Sequence, residues 1–471
     1  MRSKVTARLA NFKLDLFSII AFVLGLSFLQ GVVYITKVGN LYVDIAYLVG
    51  ALAFIIRAIS DPKGTVDKLE HYYFRGISPF LILIAVSGFL ALLSCLNHPG
   101  VQVNPYLNGL VVLAASLCIY FAVIAYSEYS KFIAWGLWVG LLINIVVSFM
   151  QYAAFQSGTA FTFYDVFPQP AFYISVPWGA ASPWAENVKY LVYTFRAQGL
   201  YLEVSYFVGA ATIVYLAATS FIDINGTLKT VVFVALLFLF GLSSTGNLVL
   251  FIGFIFLAYL IRMGAHDRTK GFCMRKRSGV EWLTVLLLLM CATAILIVSF
   301  SDINGFLNSI NFDVLSKGWT EGMASSDLSA SDNRIRLEYM LNALSEFSRY
   351  PWGGGYNMAP ALTFADYGTH ATFSYVLTLL VELGPLGLIA YVYFIGGLMV
   401  GLHANNERRQ ADRVRLTISV LALFAFQVAN GLGLSPLAWC IFGLASIEQK
   451  RSLCDITGGD TGHFGSSASD A

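Results

Sequence analysis

Residues 78–96 read SPFLILIAVSGFLALLSCL and contain no charged side chain. The hydrocarbon core of a bilayer is about 30 Å thick, and a helix needs roughly 20 apolar residues to cross it. The next run, LNGLVVLAASLCIYFAVIAYS at residues 107–127, has a similar length and is also free of charge. A short polar segment joins the two runs, as is typical of neighbouring antiparallel helices. These residues therefore predict a pair of transmembrane helices.

The rest of the chain continues this pattern. Its 471 residues are 57% hydrophobic and 12% charged, whereas soluble domains are about 45–50% apolar and about 25% charged. We therefore predict an all-α polytopic membrane protein with a single membrane domain over residues 1–451. The first apolar run is too long for a signal-peptide core and is expected to remain as a helix. The twelve candidate spans are residues 15–36, 41–58, 78–96, 107–127, 132–155, 199–222, 229–244, 246–262, 280–301, 372–402, 414–430 and 433–448.

The apolar run at residues 372–402 is longer than one crossing needs, and it contains Gly384 followed by Pro385. Proline removes a backbone hydrogen-bond donor and crowds the preceding turn of a helix. Backbone groups that lose their helical partners in a membrane must find others inside the protein. We therefore predict a kink or break at this position, near the periplasmic side.

The distribution of Lys and Arg predicts the orientation, because these residues accumulate in cytoplasmic loops. With the N-terminus inside, 22 of the 29 Lys and Arg residues fall in cytoplasmic segments. We therefore expect both termini to be cytoplasmic. The tail at residues 452–471 is rich in Gly, Ser and Asp, and we expect it to be disordered.

Motifs for cofactors and nucleotides are absent from the sequence. The six cysteines form neither a CxxC pair nor a His-rich group, which argues against a metal site and a redox motif. The sequence also lacks a P-loop, a dinucleotide-binding fingerprint, an HExxH motif and a GxSxG elbow, which disfavours nucleotide-driven pumping. A formal net charge of +2 gives no reason to expect a nucleic-acid partner. We predict no metal and no cofactor.

Two predicted periplasmic loops, at about residues 156–198 and 301–371, are much longer than the usual connection between helices. The second loop contains a predicted helix, because five apolar residues recur at helical spacing. They are Leu337, Met340, Leu341, Leu344 and Phe347. Ser331 or Asp332 is expected to cap the helix, and Pro351 with the glycines that follow is expected to end it. Such a helix could lie along the membrane face.

The four predicted periplasmic arginines all lie in these loops. Arg196 belongs to the first loop, and Arg334, Arg336 and Arg349 belong to the second. The planar guanidinium group offers a fork of donors that suits a phosphate or a diphosphate, so an anionic headgroup is the expected ligand. The alternative is that these arginines pair with nearby acids or with lipid headgroups. Arg334 and Arg336 flank the apolar stripe on opposite sides, so helical spacing alone keeps both as candidates.

Two further residues could handle protons. His370 closes the second loop, where a neutral imidazole near its usual pKa of about 6.5 could take or relay a proton. Glu203 lies in the first turn of the sixth span and could act as a base or orient Arg196. The alternative is a structural role for both residues. His370 would then be a polar residue at the level of the lipid headgroups, and Glu203 would be a carboxylate favoured by the dipole at a helix N-terminus. Two other acids within spans, Asp44 and Glu382, are expected to be structural.

Several short motifs follow one another along the chain. The first two are Arg-x-x-Gly-x-x-x-Glu-x-Ser at residues 196–205 and SSTGN at residues 243–247. The later ones are an arginine that opens the loop helix, a Pro/Gly turn, a histidine and an ELGPLG segment, at Arg336, 351–355, His370 and 382–387. In this order, over roughly residues 196–395, the chain resembles the bacterial O-antigen polymerase and O-antigen ligase superfamily.

The resemblance implies a metal-independent, membrane-embedded glycosyltransferase at the periplasmic face of the bacterial inner membrane. Its substrates would be glycans carried by undecaprenyl diphosphate, and a chain-length regulator and a flippase would be its protein partners. Arg196 and Arg336 match the family's arginines that hold the diphosphate, and His370 matches its histidine. Two positions depart from the family pattern. Ala371 follows the histidine where ligases usually carry Asn, and Val204 follows the glutamate where Pro is frequent.

The first departure favours a polymerase of O-antigen, capsule or exopolysaccharide repeat units. One alternative is a ligase that transfers the glycan to lipid A core or to a protein. A more distant alternative is a polysaccharide transporter or flippase, for which paired interrupted helices in two related halves would be expected. The sequence contains one Gly-Pro break and no such halves.

Overall fold

A computed structural model describes residues 15–29, 33–38, 41–159, 161, 173–174, 199–201, 204–243, 251–257, 328–368, 374–402, 410–430 and 435–459. The chain divides into two compact units. One unit comprises residues 1–265 and 339–471, and the other comprises residues 266–338. The side-chain contacts discussed below all lie within the first unit.

Helices dominate the described residues, so the helical architecture predicted from the sequence is confirmed. The helices are α1 (Leu16–Leu26), α2 (Ile45–Ser60), α3 (Pro62–Tyr72), α4 (Ser78–Asn97), α5 (Asn104–Ala125), α6 (Ser130–Gln156), α7 (Val204–Phe221), α8 (Gly226–Ser243), α9 (251–257), α10 (Leu328–Arg349), α11 (Ala359–Tyr367), α12 (Tyr375–Leu402), α13 (Gln410–Asn430) and α14 (Pro436–Gly459). The described residues also contain three short strands, β1 (Val33–Val38), β2 (Leu41–Asp44) and β3 (Tyr173–Ile174).

Several helices are apolar enough to cross a membrane, which supports the prediction of a membrane protein. Within the part of the chain that the structure describes, four of them are also long enough, namely Arg75–Asn97, Asn104–Ala125, Ser127–Gln156 and Tyr375–Leu402. The pair α2 and α3 would add a fifth crossing, although the two helices meet at a bend of 119°. Shorter apolar helices cover Leu16–Leu29, Tyr206–Phe221 and Gly226–Gly241. The predicted span at residues 280–301 lies outside the described residues.

Helix α4 illustrates how the two faces of such a span differ. Its buried face carries the large side chains Phe80 and Ile84 near its start and the small side chains Ser87, Ala91 and Ser94 near its end. Its exposed face carries large apolar side chains, which are Ile82, Val86, Phe89 and Leu96. Small residues allow neighbouring helices to approach closely, and an exposed apolar stripe of this length marks a surface that needs an apolar partner. The outer face of α4 therefore suits contact with lipid.

The first predicted span is shorter in the structure than in the sequence pattern. The apolar run predicts a helix over residues 15–36, but α1 ends at Leu26 and β1 begins at Val33. β1 pairs antiparallel with both other strands in the order β2-β1-β3. The β1 sequence VYITKV is rich in β-branched and aromatic residues, which favour strands. Apolar composition alone does not separate a short strand from a helix, and the sheet was not predicted.

Helix α12 is broken where the sequence predicts it. Gly384 has φ 66° and ψ −169°, far from helical values, and it directly precedes Pro385. The prediction of a kink or break within the long apolar run is therefore confirmed. The break matters for the site, because it exposes backbone carbonyls that a continuous helix would use internally.

The C-terminal helix is longer than the hydropathy pattern predicts. The predicted span ends at residue 448, whereas α14 continues to Gly459 and so enters the segment that was expected to be disordered. Arg451 is in this extension, and its Nη2 donates to the Ser127 carbonyl at 2.6 Å. Residues 460–471 lie outside the described residues.

Candidate functional site

The structure describes none of the side chains of the five candidate site residues. Arg196, Glu203 and His370 lie outside the described residues. Arg334 and Arg336 lie on α10, of which only the backbone is described at these positions. The geometry of the site therefore comes from the segments on either side of these residues.

Helix α10 is the helix predicted in the second long loop. It begins at Leu328, earlier than the expected caps at Ser331 and Asp332, and it ends at Arg349, just before Pro351. Two residues of its predicted apolar stripe, Met340 and Phe347, are half-buried. Leu341 and Leu344 are 41% and 44% exposed, while Ala343 and Glu346 are fully buried. Leu341 and Leu344 are therefore free to contact an apolar environment such as the membrane surface.

The Pro/Gly turn after α10 is built into the break of α12. Pro385 has no N–H, so the carbonyl of Val381 lacks its usual helical partner. The Gly354 N–H donates to that carbonyl at 2.7 Å, and the Gly355 N–H donates to the Glu382 carbonyl at 2.9 Å. Buried backbone groups of this kind must be paired. The turn and the break therefore complete each other's hydrogen bonds.

This close approach requires glycine on both sides. Gly353 has φ 99°, and a Cβ at this position would lie 2.5 Å from the Glu382 carbonyl oxygen. Gly384 has φ 66°, and a Cβ there would lie 2.8 Å from the carbonyl carbon of Trp352. Positive φ angles are unfavourable for residues with a side chain. The two segments can meet because neither carries a Cβ at the point of contact.

Glu382 and Asp44, the two span acids expected to be structural, both hold the start of a helix. The Glu382 carboxylate accepts hydrogen bonds from the backbone N–H groups of Asn357 and Ala359, where α11 begins. Asp44 Oδ1 accepts from the Ala46 N–H at 2.7 Å, at the start of α2. Such contacts satisfy donors that a helix N-terminus leaves unpaired. The geometry agrees with the structural role predicted for both acids.

Helices α4 and α5 fasten the same turn from another side. Ser94 Oγ donates to the Gly354 carbonyl at 2.9 Å. Asn357 Nδ2 donates to the Pro105 carbonyl at 2.7 Å. The chain between α10 and α11 is thus fixed by contacts with α4, with α12 and with the first turn of α5.

Four ionisable side chains gather beside this turn. Nη1 of Arg349 lies 3.2 Å from Glu346 Oε1 and 2.6 Å from Asp366 Oδ2. Nε2 of His98, the residue after α4, lies 3.7 Å from the same Asp366 oxygen. We refer to His98, Glu346, Arg349 and Asp366 as the loop cluster. Arg349 therefore pairs with nearby acids, which is the alternative to an anionic ligand that the sequence left open.

The two carboxyls of the loop cluster hold one proton between them below about pH 7. No donor among the described residues reaches the buried Glu346 Oε2, so an ionised Glu346 would leave this atom unsatisfied. Burial, and then the hydrogen bond to Asp366, raises the pKa of Glu346 to about 7. Burial opposes ionisation of Asp366 as well, but hydrogen bonds from Glu346 and Arg349 outweigh it and lower the pKa of Asp366. Asp366 therefore carries the charge, and Glu346 holds the proton.

Two buried amides of α6 hold the Arg-x-x-Gly motif. Gln151 bonds both backbone groups of Gly199, because its Nε2 donates to the carbonyl at 3.0 Å and its Oε1 accepts from the N–H at 3.1 Å. Asn144 Oδ1 accepts from the Leu200 N–H at 2.8 Å. The backbone is thereby fixed three residues after Arg196.

Sequence reasoning missed these partners for two different reasons. Asn144 and Gln151 are seven residues apart on a predicted span, so two amides share one face of an apolar helix. That pattern was a usable signal, since polar residues in spans are costly unless they have a role. His98 and Asp366 are 268 residues apart in the sequence, and no local pattern relates them.

Comparison with known proteins found no protein-family model and no curated protein that matches the chain. Within the described residues, no group of three or more His, Cys, Asp or Glu side chains is placed to bind a metal. The loop cluster offers the charged carboxylate of Asp366, the carboxyl proton of Glu346 and the partly exposed imidazole of His98. Such groups can transfer a proton.

Proposed function

We propose that this protein is a membrane polysaccharide polymerase that joins undecaprenyl-diphosphate-linked glycan repeat units at the periplasmic face of the bacterial inner membrane. The observation that carries the proposal is the interlocking of the Pro/Gly turn with the helix break. Residues 351–355 and 382–387 belong to the part of the chain in which the family resemblance is closest, and they bond to each other. Their contact holds the end of α10, the helix that carries Arg334 and Arg336.

The proposal includes twelve spans with both termini in the cytoplasm. Contacts between distant segments support this arrangement, because they join segments predicted to lie on the same side. His98 and Asp366, both in predicted periplasmic connections, lie 3.7 Å apart. Arg451 and Ser127, both near predicted cytoplasmic ends, are joined by a hydrogen bond of 2.6 Å. A segment placed on the wrong side would have to make its contact across about 30 Å of hydrocarbon.

In the proposed reaction, a terminal hydroxyl of the acceptor glycan attacks the anomeric carbon of a second lipid-linked glycan, and the lipid diphosphate leaves. The main task of the protein is to stabilise that leaving group. Arg196 and Arg336 supply guanidinium groups for it, and a hydrogen bond to a charged group contributes about 1.5–3 kcal/mol. His370 and Glu203 are the proton acceptors that the sequence offers. The scheme uses no metal and no cofactor.

Helical phase favours Arg336 over Arg334 as the diphosphate ligand. Residues seven apart on a continuous helix lie on nearly the same face. Arg336 lies seven residues before Ala343, which is fully buried, and Arg334 lies seven residues before Leu341, which is 41% exposed. We therefore assign Arg336 to the diphosphate.

Deletion of the gene tests the proposal, with the surface glycan separated on a gel. A polymerase is expected to leave single-repeat species on the cell surface, and the intact gene supplied in trans should restore long chains. Long chains that stay attached to the lipid carrier would indicate a ligase instead. Repeat units that remain on the cytoplasmic side would indicate a flippase. An unchanged glycan profile would refute all three.

A further inference from the structure

A histidine at the end of α4 faces a carboxylate of α11. Nε2 of His98 lies 3.7 Å from Oδ2 of Asp366, and the His98 side chain is 25% exposed. Its ring also lies beside the ring of Tyr350, with the two centroids 6.1 Å apart. No described residue forms a hydrogen bond with Nδ1, the ring nitrogen that does not face Asp366. Among the described residues, the imidazole thus has one nitrogen that faces Asp366 and one nitrogen without a hydrogen-bond partner.

Asp366 does not depend on His98 for neutralisation of its charge. Arg349 Nη1 lies 2.6 Å from the same carboxylate oxygen, and Glu346, fully buried, completes the loop cluster. A histidine that served only to satisfy Asp366 would therefore be redundant. In nucleophilic enzymes a base is commonly positioned by a third group, and Asp366 faces the imidazole as such a group would.

We propose that His98 is the base that takes the proton from the acceptor hydroxyl in the glycosyl transfer, in place of His370 or Glu203. The proposal rests on the proposed function. The hydroxyl oxygen forms a bond to the anomeric carbon of the donor as the bond from that carbon to the diphosphate oxygen breaks. The diphosphate leaves with the bonding electron pair. The hydroxyl proton moves to Nδ1 of His98, and the imidazolium faces Asp366 until water takes the proton.

The location of His98 fits this role. His98 lies in the predicted periplasmic connection between α4 and α5, on the same predicted side as both long loops. It reaches the second loop through Asp366, which precedes His370 by four residues in the sequence. It is also close to the interlocked turn, because Ser94, one helical turn earlier, bonds the Gly354 carbonyl. The base would therefore be fixed to the same framework as Asp366 and the interlocked turn.

The test compares His98→Ala and His98→Gln with the wild type in cells that lack the chromosomal gene. Chain growth is measured as the length distribution of the surface glycan, and the amount of protein in membranes is measured in parallel. Loss of a general base lowers a rate by about 100-fold or more, so single-repeat species should accumulate in both variants. Imidazole added to the medium should restore chain growth in His98→Ala, because a free base can enter the vacated space. His71→Ala, in α3, is the control and should keep the wild-type profile.

Full chain growth in His98→Ala would overturn the assignment of the base. A His98→Ala defect that imidazole does not restore, combined with normal growth in His98→Gln, would overturn it too, because the side chain would then act only by filling space. If His98→Ala fails to accumulate in membranes, His98→Gln decides the matter by its own chain growth. These outcomes leave the proposed function standing as long as gene deletion still abolishes long chains. An unchanged profile after deletion would instead remove both.

Discussion

Glu346 shows how burial decides which of two neighbouring acids keeps its proton. Its side chain is fully buried, and it faces both Asp366 and Arg349 within the loop cluster. One guanidinium cannot fully compensate two adjacent carboxylates, so one of the two acids is protonated. Burial selects Glu346 for the proton and leaves the charge on the more exposed Asp366. The protonation state of the loop cluster is therefore a property of the fold.

Replacement of Glu346 by Gln should change how stability depends on pH. The carboxyl has a pKa of 4.5 when unperturbed and about 7 in the fold. The fold therefore binds more protons than the unfolded chain between these values. The contribution to the free energy of unfolding is complete below pH 4.5 and is lost as the pH rises to about 7. It is on the order of 1–3 kcal/mol, since one pKa unit corresponds to about 1.4 kcal/mol.

Thermal unfolding of the purified protein in detergent, between pH 4.5 and 8, measures this effect. Glu346→Gln should flatten the fall in unfolding temperature between pH 4.5 and 7. Glu338→Gln, an exposed acid on the same helix, should keep the wild-type slope. An unaltered slope in Glu346→Gln would mean that Glu346 is already ionised in the fold.

Arg336→Ala should reduce chain growth by about tenfold to 100-fold, because it removes a charge-assisted contact worth about 1.5–3 kcal/mol. Arg336→Lys should recover little, since a point charge cannot reproduce the guanidinium fork. The length distribution of the surface glycan measures both variants, with membrane protein levels compared. Arg334→Ala is the matched control and should retain long chains. The reverse result, with Arg334 essential and Arg336 dispensable, would contradict the assignment from helical phase.

The interlocked turn and helix break are one structural element made from two distant segments. Each segment alone has unsatisfied backbone groups, and each supplies what the other lacks. The turn donates two N–H groups, and the broken helix provides the two carbonyls of Val381 and Glu382. These contacts would fix the position of the C-terminal end of α10 relative to α12.

Gly353→Ala should destabilise this element strongly. A Cβ at this residue would lie 2.5 Å from the Glu382 carbonyl oxygen, and φ is 99°. A backbone held in this region costs about 1–3 kcal/mol for a residue with a side chain, and the contact adds to that cost. The unfolding temperature in detergent should fall, and the membrane protein level should decrease. Gly226→Ala, where a Cβ meets nothing within 4 Å, should show neither change.

The amide pair of α6 is the corresponding element for the first long loop. Gln151→Ala would leave the N–H and the carbonyl of Gly199 unpaired in a buried site, at a cost of about 1–3 kcal/mol. We expect a lower unfolding temperature and weaker chain growth, because the Arg-x-x-Gly motif loses its anchor. Gln156→Ala, an exposed amide at the end of the same helix, is the control. Equal behaviour of the two variants would show that Gln151 does not hold the loop.

The whole molecule depends on the orientation of its spans, since the proposed chemistry belongs to one side of the membrane. A variant without the six native cysteines would allow single cysteines to report on each side. Cysteine introduced at the exposed Ser348 should react with a membrane-impermeant maleimide in intact spheroplasts. Cysteine at the exposed Lys63 in α3 should react only after lysis. Protection of position 348 in intact spheroplasts would place the loop cluster in the cytosol and remove the proposed function.

Local patterns in the sequence were sufficient for much of the architecture. Apolar runs predicted helices that the structure contains, the Gly384-Pro385 pair predicted the break in α12, and helical spacing predicted α10. These features depend on residues close together in the chain, where composition, periodicity and the missing proline N–H act directly. The sheet that contains β1 was not predicted, because a short apolar segment is compatible with both a strand and a helix.

Contacts between residues that are distant in the sequence depend on how the helices pack and could not be predicted from local sequence patterns. No local pattern joins Gly354 to the carbonyl of Val381, and none brings His98 to Asp366 across 268 positions. The burial of Glu346, and so its protonation, follows from what packs around it. The spacing of residues along the chain predicts structure only within one helix or strand. Contacts between helices, and the polarity around a buried side chain such as that of Glu346, are set only when the helices pack together.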